Sequence, residues 1–218
     1  MIHVYAFAEG LEGVPPLDGL DGAALERLRV DDVDVVFSLR SAETSADTLR
    51  RDAVAHGAVV DALRMRAAAV VPVRFGELLA DDVALTASLR ERLPTIHRAF
   101  DRVRNCVEVA VRVLDRGDPV DDRPESGTAY MQMRAIAESR RRRSVDDLQR
   151  ELRDLACDVR VERRAGIERD QFAAAYLVAS ERIEELRGAV ERFAASHEEL
   201  AVVCTGPWAP FSFVEDAA

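Results

Sequence analysis

The sequence predicts an α+β protein of two small domains, residues 1–105 and 106–218, the first a small α+β sandwich and the second ferredoxin-like. Three observations point there. Apolar residues alternate with polar ones at Val107, Val109, Val111 and Val113, the period of a half-buried strand. Helical faces and short β-rich runs then follow in the order β-α-β-β-α-β. The first hundred residues give a strand, a hairpin, a helix, a strand and more helix, enough to bury a core of their own.

Residues 2–7 form a β-rich run, and Leu25–Val30 and Val33–Leu39 flank Asp31 and Asp32, a two-residue hairpin signal. Over residues 45–65 the period changes: Leu49, Ala53, His56, Val60 and Leu63 fall at steps of four and three, one face of a helix. Residues 68–75 are a continuous apolar run closed by Gly76 and predict a buried strand. Leu89, Leu93, Ile96, Phe100 and Val103 mark a second helix, which Pro94 is expected to kink or divide.

The chain is expected to pass from one domain to the other near residues 104–106. After the valine strand, residues 115–127 are rich in Asp, Pro and Gly and predict an exposed loop. A long helix over residues 128–156 buries Val145, Leu148, Leu152 and Leu155, and Ser144 with Asp147 has the spacing of a capping box at which it could restart. Strands over residues 158–163 and 171–179, joined through Ala165 and Gly166, precede a helix marked by Ile183, Leu186, Val190 and Phe193 and a last strand over residues 200–205. Residues 206–213, carrying Trp208, Phe211 and Phe213 among two prolines, predict an ordered, extended aromatic tail.

With 48% apolar and 32% charged residues, the chain has the balance of a folded globular protein. Every one of its 30 basic residues is Arg, yet the net charge is -10, which repels phosphate backbones and argues against nucleic acid. The exception is the run of residues 140–143, all Arg, readable as a solvated helix face, a contact for an acidic protein, or last a nucleic-acid patch. No stretch is long and apolar enough to span a membrane, and the first residues lack a signal-peptide pattern, so a cytoplasmic protein without membrane contact is expected.

Chemistry finds no foothold. His3, His56, His97 and His197 are scattered without ligand spacing, so no metal or other cofactor is expected. His56 lies on the apolar face of its helix and reads as a hydrogen-bonded core histidine, with a partner-binding role as the alternative. Cys106, Cys157 and Cys204 form no C-x-x-C pair and read as reduced core residues. Nucleophile elbows, phosphate loops and dinucleotide fingerprints are absent, so no catalytic residue is assigned and the chain is expected not to be an enzyme.

Several segments, in order along the chain, resemble the GvpF/GvpL family of gas vesicle proteins. They are Val4-Tyr5-Ala6-Phe7; the His56 helix followed by Pro72-Val73-Arg74-Phe75-Gly76; residues 108–113, 127–130 and 175–178; and Thr205-Gly206-Pro207-Trp208-Ala209-Pro210-Phe211-Ser212-Phe213. Ala209 stands where the family pattern has Pro, and Phe211 where it has Tyr. The resemblance implies an assembly accessory or minor structural protein, in the cytoplasm and at the gas vesicle, that binds the small apolar shell subunit and other gas vesicle accessory proteins. The alternative is a ferredoxin-like small-molecule-binding regulator or enzyme, since that fold hosts many functions. His56, Arg74, Phe75, Gly76, Gly206, Pro207, Trp208, Phe211 and Phe213 are the candidate structural or partner-binding residues. Arg74, Phe75 and Gly76 are expected to form a structural corner. The tail aromatics either pin the tail to the chain's own core, or close the gap between domains, or contact the shell subunit.

Overall fold

A computed structural model describes residues 1–40, 48–116, 127–162, 170–214 and 217. Its contacts separate two compact units, Met1–Glu108 with Trp208–Ala218, and Val109–Pro207. From Trp208 onward the tail clusters with the first unit.

In the first unit, β1 (Ile2–Glu9) is the central strand of a sheet. It pairs antiparallel with β3 (Val33–Leu39) on one side, and on the other with β4 (Ala69–Pro72) and the short β5 (Leu78–Leu79). The edge strand β2 (Leu25–Val30) pairs with β3 through the expected hairpin, Val30 opposite Val33. Asp31 takes φ +55° at that turn, a conformation a short polar side chain tolerates. Helices α1 (Leu49–Arg64) and α2 (Asp82–Val103) cover the sheet. Asp81 caps α2, its side chain accepting from the Ala84 N–H at 2.8 Å.

The register of β1 against β3 slips between Val4 and Ala6, so Tyr5 is an extra residue in the ladder. Such a bulge reverses the in-out alternation. His3, the bulge residue Tyr5, and Ala6 and Ala8 after it consequently all face α1: Tyr5, Ala6 and Ala8 share a core cluster with Val59, Val60 and Leu63, and His3 bonds His56. Phe7 points to the other face, with the Arg92 guanidinium of α2 5.7 Å from its ring centre. A strand sandwiched in this way is apolar on both sides, and seven of its eight residues are buried.

In the second unit, β6 (Cys106–Asp115), α3 (Gly127–Leu155), β7 (Asp158–Val161), β8 (Asp170–Ala179), α4 (Ile183–Ser196) and β9 (Leu200–Trp208) follow the expected β-α-β-β-α-β order. The sheet order is β7-β8-β6-β9, that of a ferredoxin-like antiparallel sheet. All four alternating valines of β6 are buried, as are Val145, Leu148, Leu152 and Leu155 of α3 and Leu186, Val190 and Phe193 of α4.

Five local expectations are corrected. Pro94 does not divide α2, which runs 22 residues through it, because Pro94 and Arg90 are exposed and the carbonyl that the ring leaves unbonded lies on the solvent side of the helix. No restart occurs at Ser144, since α3 is one helix of 29 residues. Leu49 and Ala53 are exposed, and Asp52 and Val59 take inward positions on α1 instead. The tail is not extended throughout: β9 continues to Trp208, Pro207 being tolerated near the end of an edge strand, and Phe211–Phe213 close into a 3-10 turn. None of the three cysteines is a core residue, Cys157 being exposed and the other two half-buried. Most of the 115–127 loop, the start of the 45–65 helix and the Ala165-Gly166 connection lie outside the described residues.

Candidate functional site

Of the candidate residues in the first unit, Phe75 and Phe211 have their rings near His56. Its Nε2 lies 2.9 Å from the Val73 carbonyl, which can only accept, so Nε2 carries the proton and donates. Nδ1 is then an acceptor, and His3 Nε2 donates to it at 2.9 Å. Both rings are neutral. His3 Nδ1 is left as a buried acceptor without a hydrogen-bond partner. Burial, then the neighbouring His56 and Arg40, push the His3 pKa down to about 4, and burial likewise lowers that of His56.

The ring of Tyr5 stacks against His56 with centroids 5.3 Å apart and meets His3 edge-on at 4.8 Å. Its hydroxyl accepts from the Leu20 N–H at 2.7 Å and shares a second hydrogen bond with Ser38 Oγ at 2.9 Å. Gly19 is required at this point, because a Cβ there would lie 2.5 Å from the Tyr5 hydroxyl and 2.8 Å from Ser38 Oγ.

Beside this knot, buried Arg40 meets buried Asp52 at 2.6 Å and the Asp21 carboxylate at 3.3 Å. Burial alone would raise the Asp52 pKa, but hydrogen bonds from Arg40, Arg51 and Thr48 outweigh it and hold the carboxyl below its usual value. At the hairpin, the fully buried Asp34 accepts both Arg27 and Arg29 through both of its oxygens. The sequence hid these carboxylates, because a charged residue in an apolar pattern reads as solvent-facing. The available signal was the i, i+4 spacing of Asp52 and His56 on one helix.

Phe75 is half-buried, its ring 5.6 Å from His3 and 5.7 Å from His56. Arg74 is exposed, and Gly76 turns the chain at φ +103°, a conformation natural to glycine. The tail arrives on the same side: Phe211 lies 6.4 Å from the His56 ring, and Ala209 belongs to the core under α1. Pro210, Phe213 and Val214 are buried, whereas Trp208 is 49% and Phe211 36% exposed. Glu108 ties the turn down by accepting from the N–H and the hydroxyl of Ser212, both at 2.8 Å. Gly206 and Pro207 are not brought to this site but belong to the second unit, where the Gly206 carbonyl accepts from Arg187 at 2.8 Å.

Among the described residues no three His, Cys, Asp or Glu side chains are grouped as a metal site. A cavity of about 300 Å³ on the second sheet is lined mainly by Ala110, Leu114, Ala173, Ala174 and Val203, with Arg112 and Glu162 at it. No described helix is long and apolar enough to cross a membrane.

Comparison with known proteins agrees along the whole chain. Residues 1–215 match the family model of the gas vesicle synthesis protein GvpL/GvpF. Gas vesicle protein F of a Streptomyces species is 31% identical over 191 residues, covering 76% of this chain and 78% of that protein. Gas vesicle protein F1 of Halobacterium salinarum is 24% identical over 215 residues, 95% of this chain and 85% of its own. The crystal structures of GvpF from Anabaena and from Microcystis aeruginosa superpose with TM-scores of 0.78 and 0.77 at 20% and 16% identity. They cover 98% of this chain and 95% and 98% of theirs, and so share its fold. With a match that spans nearly every residue, this chain belongs to the GvpL/GvpF family of gas vesicle synthesis proteins.

Proposed function

We propose that the protein is an assembly accessory or minor structural component of gas vesicles that binds the small apolar shell subunit and other gas vesicle proteins. Family membership supports the process, and one observation supports the contact. The tail buries Ala209, Pro210, Phe213 and Val214 while leaving Trp208 and Phe211 substantially exposed. An anchored turn that presents two large aromatics offers contact area with little side-chain entropy to lose, which suits recognition of an apolar partner.

The test is a pull-down of purified shell subunit by the full chain, alongside suppression of the subunit's aggregation. Trp208→Ala with Phe211→Ala is expected to lower binding about tenfold, the scale of one lost aromatic anchor. Undiminished binding by a folded double variant would remove the tail from the interface. No binding by the unmodified chain would remove the shell subunit as a partner.

A further inference from the structure

We infer that the N-terminal half of α3 is a second docking surface, made for an acidic protein partner other than the shell subunit. The fully buried residues of the helix begin at Val145, and before it Arg141 reaches Asp115 at the end of β6 at 3.0 Å. Residues 131–136 are all exposed, and nothing from Met131 to Ser144 is fully buried. About 20 Å of helix, residues 131–144, therefore carries no fully buried side chain and little of the tertiary packing from which most helices draw their stability.

That projection is patterned. Met133, Ile136, Arg140 and Arg143 recur at steps of three, four and three, which puts them in one stripe. All four are exposed, Met133 by 56% and Ile136 by 55%. Arg141 and Arg142, off the stripe, pair with Asp115 and Glu138. Arg140 and Arg143 form no ion pair or hydrogen bond among the described residues.

Charge selects the partner. Residues 127–143 hold five arginines against the single carboxylate of Glu138, a surplus of four positive charges in a chain of net charge -10. An apolar pocket followed by carboxylates would satisfy the stripe in order, two apolar anchors and then two guanidiniums. A lipid surface fits less well, because an interfacial helix needs its apolar residues along the full length of one face with its bases flanking them. A nucleic acid offers no pocket to Met133 and Ile136 and is repelled by the acidic remainder of the chain.

The inference rests on the gas vesicle reading only for the choice of candidates. The probes are other gas vesicle proteins from the same organism, purified one at a time. The full chain carrying a photo-crosslinking amino acid at Ile136 is expected to crosslink to one of them, and the crosslinked peptide to be acidic. Arg140→Glu with Arg143→Glu should weaken that complex about tenfold or more and abolish its dependence on salt between about 0.1 and 0.5 M. Met133→Ser with Ile136→Ser should weaken it while leaving the salt dependence. All these positions are exposed, so circular dichroism and melting temperature should stay at the unmodified values. Crosslinking to the chain itself, to lipid, to nucleic acid or to no protein would overturn the inference, as would a complex that both double variants leave unchanged. Shell-subunit binding that survives in the stripe variants separates this surface from the tail. Failure here thus leaves the tail reading standing, and the reverse.

Discussion

The Glu108 carboxylate holds Ser212, 104 residues away in sequence, by two hydrogen bonds of 2.8 Å. Glu108 stands on the polar side of β6 by alternation, yet it is only 9% exposed. Ser212 supplies two of the hydrogen bonds that make its burial tolerable. Glu108→Ala should therefore cost about 2 kcal/mol, the range for hydrogen bonds to a charged group, and Ser212→Ala about 1 kcal/mol, since its N–H still bonds. Denaturant unfolding measures both, and limited proteolysis should cut the tail of Glu108→Ala first.

Acidification should destabilise the first unit. His3 is neutral in the fold, with its pKa near 4, and His56 is lowered too, while in the unfolded chain both sit near the ordinary 6.5. Between these values the unfolded chain binds more protons, so stability rises with pH. The contribution is complete above about pH 6.5 and is lost as the pH falls toward 4. A melting temperature that declines across that window, with a shallower slope in His3→Gln, is the expected result. An identical slope in the variant would assign the effect to other groups.

Gly19→Ala should disrupt the knot around Tyr5 by steric overlap. The added methyl would meet the Tyr5 hydroxyl at 2.5 Å, so the loop must move and the Leu20 to Tyr5 hydrogen bond must lengthen or break. About 2 kcal/mol of lost stability is expected. Tyr5→Phe, which strands the Leu20 N–H and the Ser38 hydroxyl, should cost a similar amount. Combining the two should cost less than their sum, because they remove one shared interaction.

Periodicity revealed the elements whose apolar residues repeat cleanly. The valines of β6 and the leucines of α3 are where their spacing puts them, and with them came the β-α-β-β-α-β order. It failed where polar groups are buried in pairs. Asp52 turns inward because Arg40, twelve residues earlier and just past the end of β3, neutralises it, and no local pattern reports such a partner. The bulge at Tyr5 was invisible for the same reason, since it is defined by register against β3. His56 was legible as an inward-facing residue, but its bond to His3 depends on how β1 lies under α1. The tail shows the same divide: its prolines ruled out a long helix, whereas its position against Glu108 is a tertiary fact.

The tail itself should divide into anchors and presented residues. Phe213 is 2% exposed, with the Arg102 guanidinium 5.9 Å from its ring centre, and Ala209 is buried in the core under α1. Phe213→Ala should cost about 3 kcal/mol or more, by lost burial and the cavity left behind. Trp208 is 49% exposed, so Trp208→Ala should cost clearly less than Phe213→Ala, about 1 kcal/mol or less. The proposed function requires this contrast, because a residue kept for a partner can be removed without harm to the fold. Thermal melting of the two variants beside shell-subunit binding decides the matter. Intact melting with lost binding for Trp208→Ala assigns Trp208 to the interface. Lost stability would make it another anchor, and wild-type values for both would leave Trp208 with neither role.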